Sequence, residues 1–204
     1  MKEIKIYDTT LRDGSQGEGI SFSVMDKVHI ARELDDLGIS FIEGGWPGSN
    51  PKDMEFFMKM SRVRLKSSKL TAFSMTRRLG TTAKKDQNIK ALVDSRAKII
   101  TIVGKTWDLH VTDVLKTTLE ENLAMIQDTV SFLVSCGLRV FYDAEHFFDA
   151  YKSNAQYAIK TLLTAQEAGS ETLCLCDTNG GTLTSDTGRI LAEVKKYINV
   201  ALGI

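Results

Sequence analysis

The stretch IKIYDTTLRDGSQGEGISFSVMDKVHIARELDDLGISFIE, residues 4–43, reads as one strand–helix–strand unit, and the rest of the chain repeats its plan. Ile4-Lys-Ile-Tyr7 is a short apolar run with strand character, and a polar stretch follows it. From Val24 to Leu37 the residues Val28, Ala31, Leu34 and Leu37 recur at the spacing of one buried helix face, and Gly38 supplies a stop. Ser40-Phe-Ile-Glu43 is the next strand.

Working outward, further strands fall at Leu70-Thr-Ala-Phe73, Lys98-Ile-Ile-Thr-Ile-Val103, Arg139-Val-Phe-Tyr142 and Thr172-Leu-Cys-Leu-Cys176, and a last begins at Asn199-Val-Ala-Leu-Gly203. Helices fit between them, notably Leu115 to Val134, ended near Gly137, and Ala155 to Ala168, ended by Gly169. Strands starting about thirty to forty residues apart have the size of βαβ units. Strands alternating with helices imply an α/β fold, a parallel sheet with helices outside it. Periodicity alone leaves open whether that sheet closes. A closed (β/α)8 barrel takes about 250 residues; this chain has 204 and stops at Ile204 inside an apolar run. The expectation is a truncated (β/α)8 TIM barrel, with about six to seven of eight units. Residues 1–204 would form one partial domain, since two prolines and no Ser/Gly-rich stretch leave no linker.

Hydrophobic residues make up 43% of the chain, enough for one sizeable core. Lys+Arg and Asp+Glu balance at 26 each, and no basic run carries interleaved aromatics, so a nucleic-acid role finds no support. No apolar stretch has the length of a signal peptide or a membrane span, which implies a cytoplasmic protein. Three cysteines, Cys136, Cys174 and Cys176, lack zinc-finger spacing and read as buried structural thiols; Cys174 and Cys176 alternate along a strand and point to one face.

Polar residues gather just after the apolar runs: Asp8 to Gln16, Glu43 to Asn50, Ser74 to Arg78, Gly104 to Asp108, Asp143 to His146 and Asp177 to Gly180. In a parallel α/β architecture these positions lie at the carboxyl ends of the strands, where active sites sit. Arg12-Asp13 in a Gly-containing turn suits a site that holds a divalent cation and steadies an oxyanion, or else a structural ion pair. Glu145-His146 offers a carboxylate and an imidazole able to move protons, against a structural role for the histidine. His29 reads as a surface residue, and His110 as a residue near the rim. Gly44-Gly-Trp-Pro-Gly48 lacks the Lys-Ser/Thr of a phosphate loop, and no Gly-rich loop opens a helix, which disfavours a doubly wound nucleotide-binding domain.

Asp8-Thr-Thr-Leu-Arg-Asp-Gly-Ser-Gln16 resembles the signature that opens the pyruvate-carboxylase-like, or DRE-TIM, metallolyase barrels. That family includes 2-isopropylmalate, homocitrate and citramalate synthases and hydroxymethylglutaryl-CoA lyase. Ile42 to Asp53, Thr106 to Thr112, Tyr142 to Asp149 and Leu175 to Thr182 resemble its citramalate synthase branch, so the likeness covers essentially the whole chain. It implies a Claisen condensation of acetyl-CoA, as co-substrate, with pyruvate to (R)-citramalate for isoleucine synthesis. A 2-isopropylmalate or homocitrate synthase acting on a larger 2-keto acid is the alternative, and a non-catalytic α/β binding module the second.

The resemblance also implies roles. Asp13 would ligate Mg2+ or Mn2+, and Arg12 would stabilise the developing alkoxide. Gln16 and Glu43 would line the substrate pocket, with Tyr142 and Asp143 as further walls. Glu145 would be the carboxylate after the fifth strand, and Thr178 would bind the substrate carboxylate. The family's metal site also uses a His-x-His pair after the seventh strand and a later Asn. No His-x-His occurs here. One carboxylate does not hold a catalytic cation, so the chain alone is expected to be inactive. The family's carboxy-terminal dimer and regulatory regions are also absent, and a homodimer is expected at full length.

Overall fold

The computed structural model describes residues 4–204. Its strands are β1 Tyr7–Asp8, β2 Phe41–Gly45, β3 Lys69–Met75, β4 Ile99–Lys105, β5 Arg139–Glu145, β6 Thr172–Leu175 and β7 Ala201–Gly203. Between them run α1 Val24–Asp36, α2 Pro51–Met60, α3 Gln87–Asp94, α4 Leu119–Ser135, α5 Phe147–Glu167 and α6 Thr184–Val194. The strands are ordered β1-β2-β3-β4-β5-β6-β7 in one sheet. Pairing is parallel between β1 and β2, β2 and β3, β5 and β6, and β6 and β7. A doubly wound sheet reverses its strand order at a switch point; this order never reverses. Among the described residues no helix is long and apolar enough to cross a membrane.

The described residues form two compact units, one running to Ser74 together with Gln87–Thr101, the other Met75–Asp86 with Ile102–Ile204. In the first, α1 starts with a capping box: Ser23 Oγ accepts from Asp26 N–H (3.1 Å) and Asp26 accepts from Ser23 N–H (2.8 Å). Asn50 caps α2 through Lys52 N–H (2.9 Å), with Pro51 at its first position. The buried face of α1 differs from the expected one. Val28 and Ala31 are buried, but Leu37 is 76% exposed and the face is completed by Lys27 and Asp35. Both charged groups are paired inside: Lys27 Nζ meets Asp53 Oδ1 at 2.5 Å, and Asp35 accepts from the N–H groups of Lys66, Ser67 and Ser68 at 2.6, 2.9 and 2.7 Å. The first strand is also later than the apolar run suggests. Ile6 O accepts from both Ser40 and Phe41 N–H, and regular pairing begins only at Tyr7.

In the second unit Thr118 caps α4 through Glu121 N–H (3.1 Å), so that helix begins four residues after the expected Leu115. A short π-helical turn, His110–Val114, occupies the space before it. The helix expected from Ala155 is the second half of α5, whose backbone breaks at Asn154 (φ −148°, ψ 78°). The cysteines depart from the buried reading: Cys136, at the end of α4, is exposed, and Cys174 and Cys176 are half-buried.

Candidate active site

Glu43 sits in β2 with its side chain fully buried. Its Oε1 accepts from Arg12 Nε at 2.6 Å and its Oε2 from the Tyr7 hydroxyl at 2.5 Å. The Tyr7 oxygen also lies 2.7 Å from Thr71 Oγ1 and 2.6 Å from Thr101 Oγ1. Four strands thus contribute to one polar cluster around a buried carboxylate. Burial pushes the Glu43 carboxyl up, against the pull of the Arg12 charge and the Tyr7 and Arg12 hydrogen bonds.

The loop after β1 carries Arg12 and Asp13. Arg12 Nη1 donates to Asp13 Oδ1 at 2.8 Å, and its guanidinium carbon lies 3.9 Å from the Phe73 ring centre. Glu43, Asp13 and Phe73 together hold the guanidinium, whose side chain is 16% exposed. Such a fixed donor suits a developing oxyanion, because it needs no reorganisation when charge appears. Asp13 is 62% exposed, and Gln16, which ends a 3-10 turn over Gly14–Gln16, is exposed.

In the second unit Lys105, at the end of β4, pairs with Glu145 at the end of β5. Asn122 Nδ2 donates to the Lys105 carbonyl at 2.8 Å, tying that strand end to α4. Both charged residues border a cavity of about 180 Å3 that also meets Met75, Val103, Leu115 and Met125. His146 follows in the left-handed conformation (φ 53°) and its N–H donates to Thr178 Oγ1 at 2.9 Å. Because that oxygen accepts from the backbone, the Thr178 hydroxyl hydrogen remains to donate elsewhere. His146 Nδ1 lies 3.4 Å from Asp149 Oδ2, and its ring meets that of His110 edge-on with centres 4.7 Å apart. Burial, first, and then the neighbouring His146 and Lys105 charges lower the His110 pKa. Asp143 is half-buried in β5. Tyr142, one residue before it, is wholly buried, its hydroxyl against Gly104, where a Cβ would lie 2.5 Å from the oxygen. Burial raises its pKa.

The structure therefore gathers Arg12, Asp13 and Glu43 in the first unit, and in the second brings His146 against Thr178. Tyr7, Thr71, Thr101 and Lys105 are partners that sequence reasoning missed; their only signal is a polar residue in or at the end of an apolar strand. For a divalent cation the donor set is short. Asp13 belongs to no group of three or more His, Cys, Asp or Glu ligands among the described residues. A hard cation needs about six oxygen ligands, so these residues alone do not fit one.

A sequence profile described as HMGL-like matches residues 3–204. The chain is similar to "(R)-citramalate synthase" of Geobacter sulfurreducens, 52% identical over 204 residues, covering 100% of this chain and 39% of that protein. It is also similar to "2-isopropylmalate synthase" of Listeria innocua, 32% identical over 97% of this chain and 37% of that protein. The chain spans about two fifths of the length of the curated relatives it matches. Among solved structures, the HMG-CoA lyase of Bacillus subtilis superposes with a TM-score of 0.79 at 16% identity, covering 99% of this chain and 68% of that one. This likeness speaks to the fold alone, a (β/α)8 TIM barrel of which the described residues carry seven strands. On the profile match across nearly its whole length, the chain belongs to the HMGL-like family.

Proposed function

We propose that the intact protein is an acyltransferase that condenses acetyl-CoA with pyruvate to give (R)-citramalate, and that residues 1–204 are part of its catalytic barrel. The observation that carries the chemistry is the Arg12 guanidinium, fixed by Glu43, Asp13 and Phe73 before any substrate arrives. The substrate is chosen by likeness: identity is 52% to a protein named for citramalate and 32% to one named for 2-isopropylmalate.

In this reading a proton leaves the acetyl methyl group, the resulting enolate carbon attacks the keto carbon of pyruvate, and the keto oxygen becomes an alkoxide. Water then cleaves the thioester and releases CoA. Arg12 donates hydrogen bonds to the oxygen as its charge grows. Glu43 and Tyr7 keep the guanidinium in place. Glu145, positioned by Lys105, is the carboxylate assigned to proton transfer, and Thr178 donates its hydroxyl to the substrate carboxylate. Gln16, Asp143 and Tyr142 are the further residues that the family resemblance assigns to the substrate. Asp13 would give one ligand to a Mg2+ or Mn2+ ion, and because it belongs to no group of three or more ligands among the described residues, this chain by itself would be inactive. At full length we expect a cytoplasmic homodimer.

The test is CoA release from acetyl-CoA by the protein expressed to its natural stop codon, with Mn2+ and each of pyruvate, 2-ketoisovalerate and 2-oxoglutarate. Release fastest with pyruvate is the expected result. Preference for a larger keto acid would move the substrate and keep the chemistry, whereas silence with all three would overturn the synthase reading.

A further inference from the structure

We propose that Asp143, Cys174 and Cys176 form a site for one thiophilic divalent ion of the zinc class. Successive side chains of a strand point to opposite faces, so residues two apart share one. Cys174 lies within β6 and Cys176 just beyond its end. On the neighbouring strand β5, Asp143 stands opposite Cys174 in the parallel register. The two sulfurs and a carboxylate oxygen consequently all lie within 4.8 Å of one another.

Donor chemistry selects the ion. Two thiols and one carboxylate form a mixed soft and hard set that favours zinc-class ions over Mg2+ or Ca2+. Tetrahedral zinc, with bonds of about 2.3 Å to sulfur and about 2.0–2.2 Å to oxygen, places its ligand atoms roughly 3.5–3.8 Å apart. From separations within 4.8 Å, the three side chains need to close by at most about 1.3 Å to reach that geometry. Three protein ligands leave the fourth position to water, as in open zinc sites.

The surroundings allow this. In β7, Gly203 is opposite Cys174, and even a Cβ there would lie 3.5 Å from its sulfur, so no side chain from that position covers it. The Cys176 thiol contacts the Cys174 carbonyl at 3.9 Å, a weak sulfur contact that metal binding gives up at little cost. All three groups are half-buried rather than sealed. On binding, each thiol releases its proton to solvent and the sulfur lone pair forms the metal bond. The inference shares Asp143 with the residues assigned to the substrate above, but its test reads the Cys174 and Cys176 thiolates and is decided whatever the synthase assay gives.

The experiment is a Co2+ titration of the intact, reduced, metal-free protein, followed by absorbance. A thiolate-to-cobalt charge-transfer band should saturate with a single thiolate-bound equivalent and disappear when Zn2+ is added. Cys174→Ser and Cys176→Ser should each remove roughly half of its intensity, one of two sulfur ligands being lost, and the double variant should abolish it. Cys136→Ser and Asp13→Asn should leave it intact. A missing band, or one that survives in the double variant, would overturn the proposal. Should the variants fail to fold, the unmutated protein decides: Zn2+ should protect Cys174 and Cys176, but not the exposed Cys136, from alkylation read by mass spectrometry. Equal labelling of all three with and without Zn2+ would also overturn it.

Discussion

Replacing Asp35 by alanine should unfold the protein more readily near neutral pH, and the effect should fade in acid. Asp35 lies in the last turn of α1, where the helix carbonyls disfavour a negative charge. It is retained because three N–H groups, from Lys66, Ser67 and Ser68, converge on its oxygens at 2.6–2.9 Å and lead the chain into β3. Of these three residues only Ser68 is buried, so water can replace the carboxylate at the other two. Counting the Ser68 bond in full and the other two in part, the loss is about 2–4 kcal/mol. Burial pushes the Asp35 carboxyl up, but the three donors outweigh it and hold it well below the usual carboxylate range. A depressed folded-state pKa contributes stability that is complete above the unfolded value, 3.8, and is lost as pH falls toward the folded one. Urea midpoints of the intact protein and of Asp35→Ala should therefore differ clearly near neutrality and draw together only as the pH falls below 3.8 toward the depressed folded-state value. A difference below about 0.5 kcal/mol at neutral pH, or one that persists unchanged in acid, would refute the reasoning.

Other outcomes test other parts of the molecule. On the proposed function, Arg12→Lys in the intact protein should lower kcat by about 100- to 1,000-fold, since a mobile ammonium replaces a fixed guanidinium; a fall of less than about threefold at saturating substrate would remove Arg12 from the chemistry. Gly45→Ala should destabilise by about 1–3 kcal/mol in thermal unfolding: Gly45 has φ 146°, and a Cβ would lie 2.5 Å from the Asp53 carboxylate. Glu43→Gln should flatten the dependence of stability on pH. With its folded pKa raised, Glu43 favours the native state most below 4.5 and loses that contribution as pH rises through the folded value, so an unchanged slope in the variant would contradict the burial argument.

The alternation of strands and helices was legible because a strand buried by helices must be apolar while its connections stay polar. Gly38, Gly137 and Gly169, all at positive φ, marked the helix ends. Less legible were interactions between distant segments. Lys27 and Asp35 look like solvent-facing charges in a helix, because nothing local reveals that Asp53 and the 66–68 amides will meet them. Likewise Glu43 is readable as a rim carboxylate, but its clamp of Tyr7, Thr71 and Thr101 is assembled from three other strands. The shared face of Cys174 and Cys176 follows from strand alternation, whereas the approach of Asp143 requires the register between β5 and β6. Asn154 breaks α5 for a reason sequence periodicity does not encode: its side chain accepts from Tyr157 N–H at 3.1 Å and donates to Asp108 at 2.9 Å, restarting the helix with its own cap.

That the strands are neighbours in their order of synthesis bears on how the protein is born. Each strand finds its partner in the one just before it, so a nascent chain leaving the ribosome need not wait for distant sequence to pair. Closing a short loop is also the less costly step. Domains tend to fold from the amino terminus during translation, and here the strand order permits growth one strand and one helix at a time. The growing edge at any moment is the newest strand, and the next to cover it arrives about thirty to forty residues later.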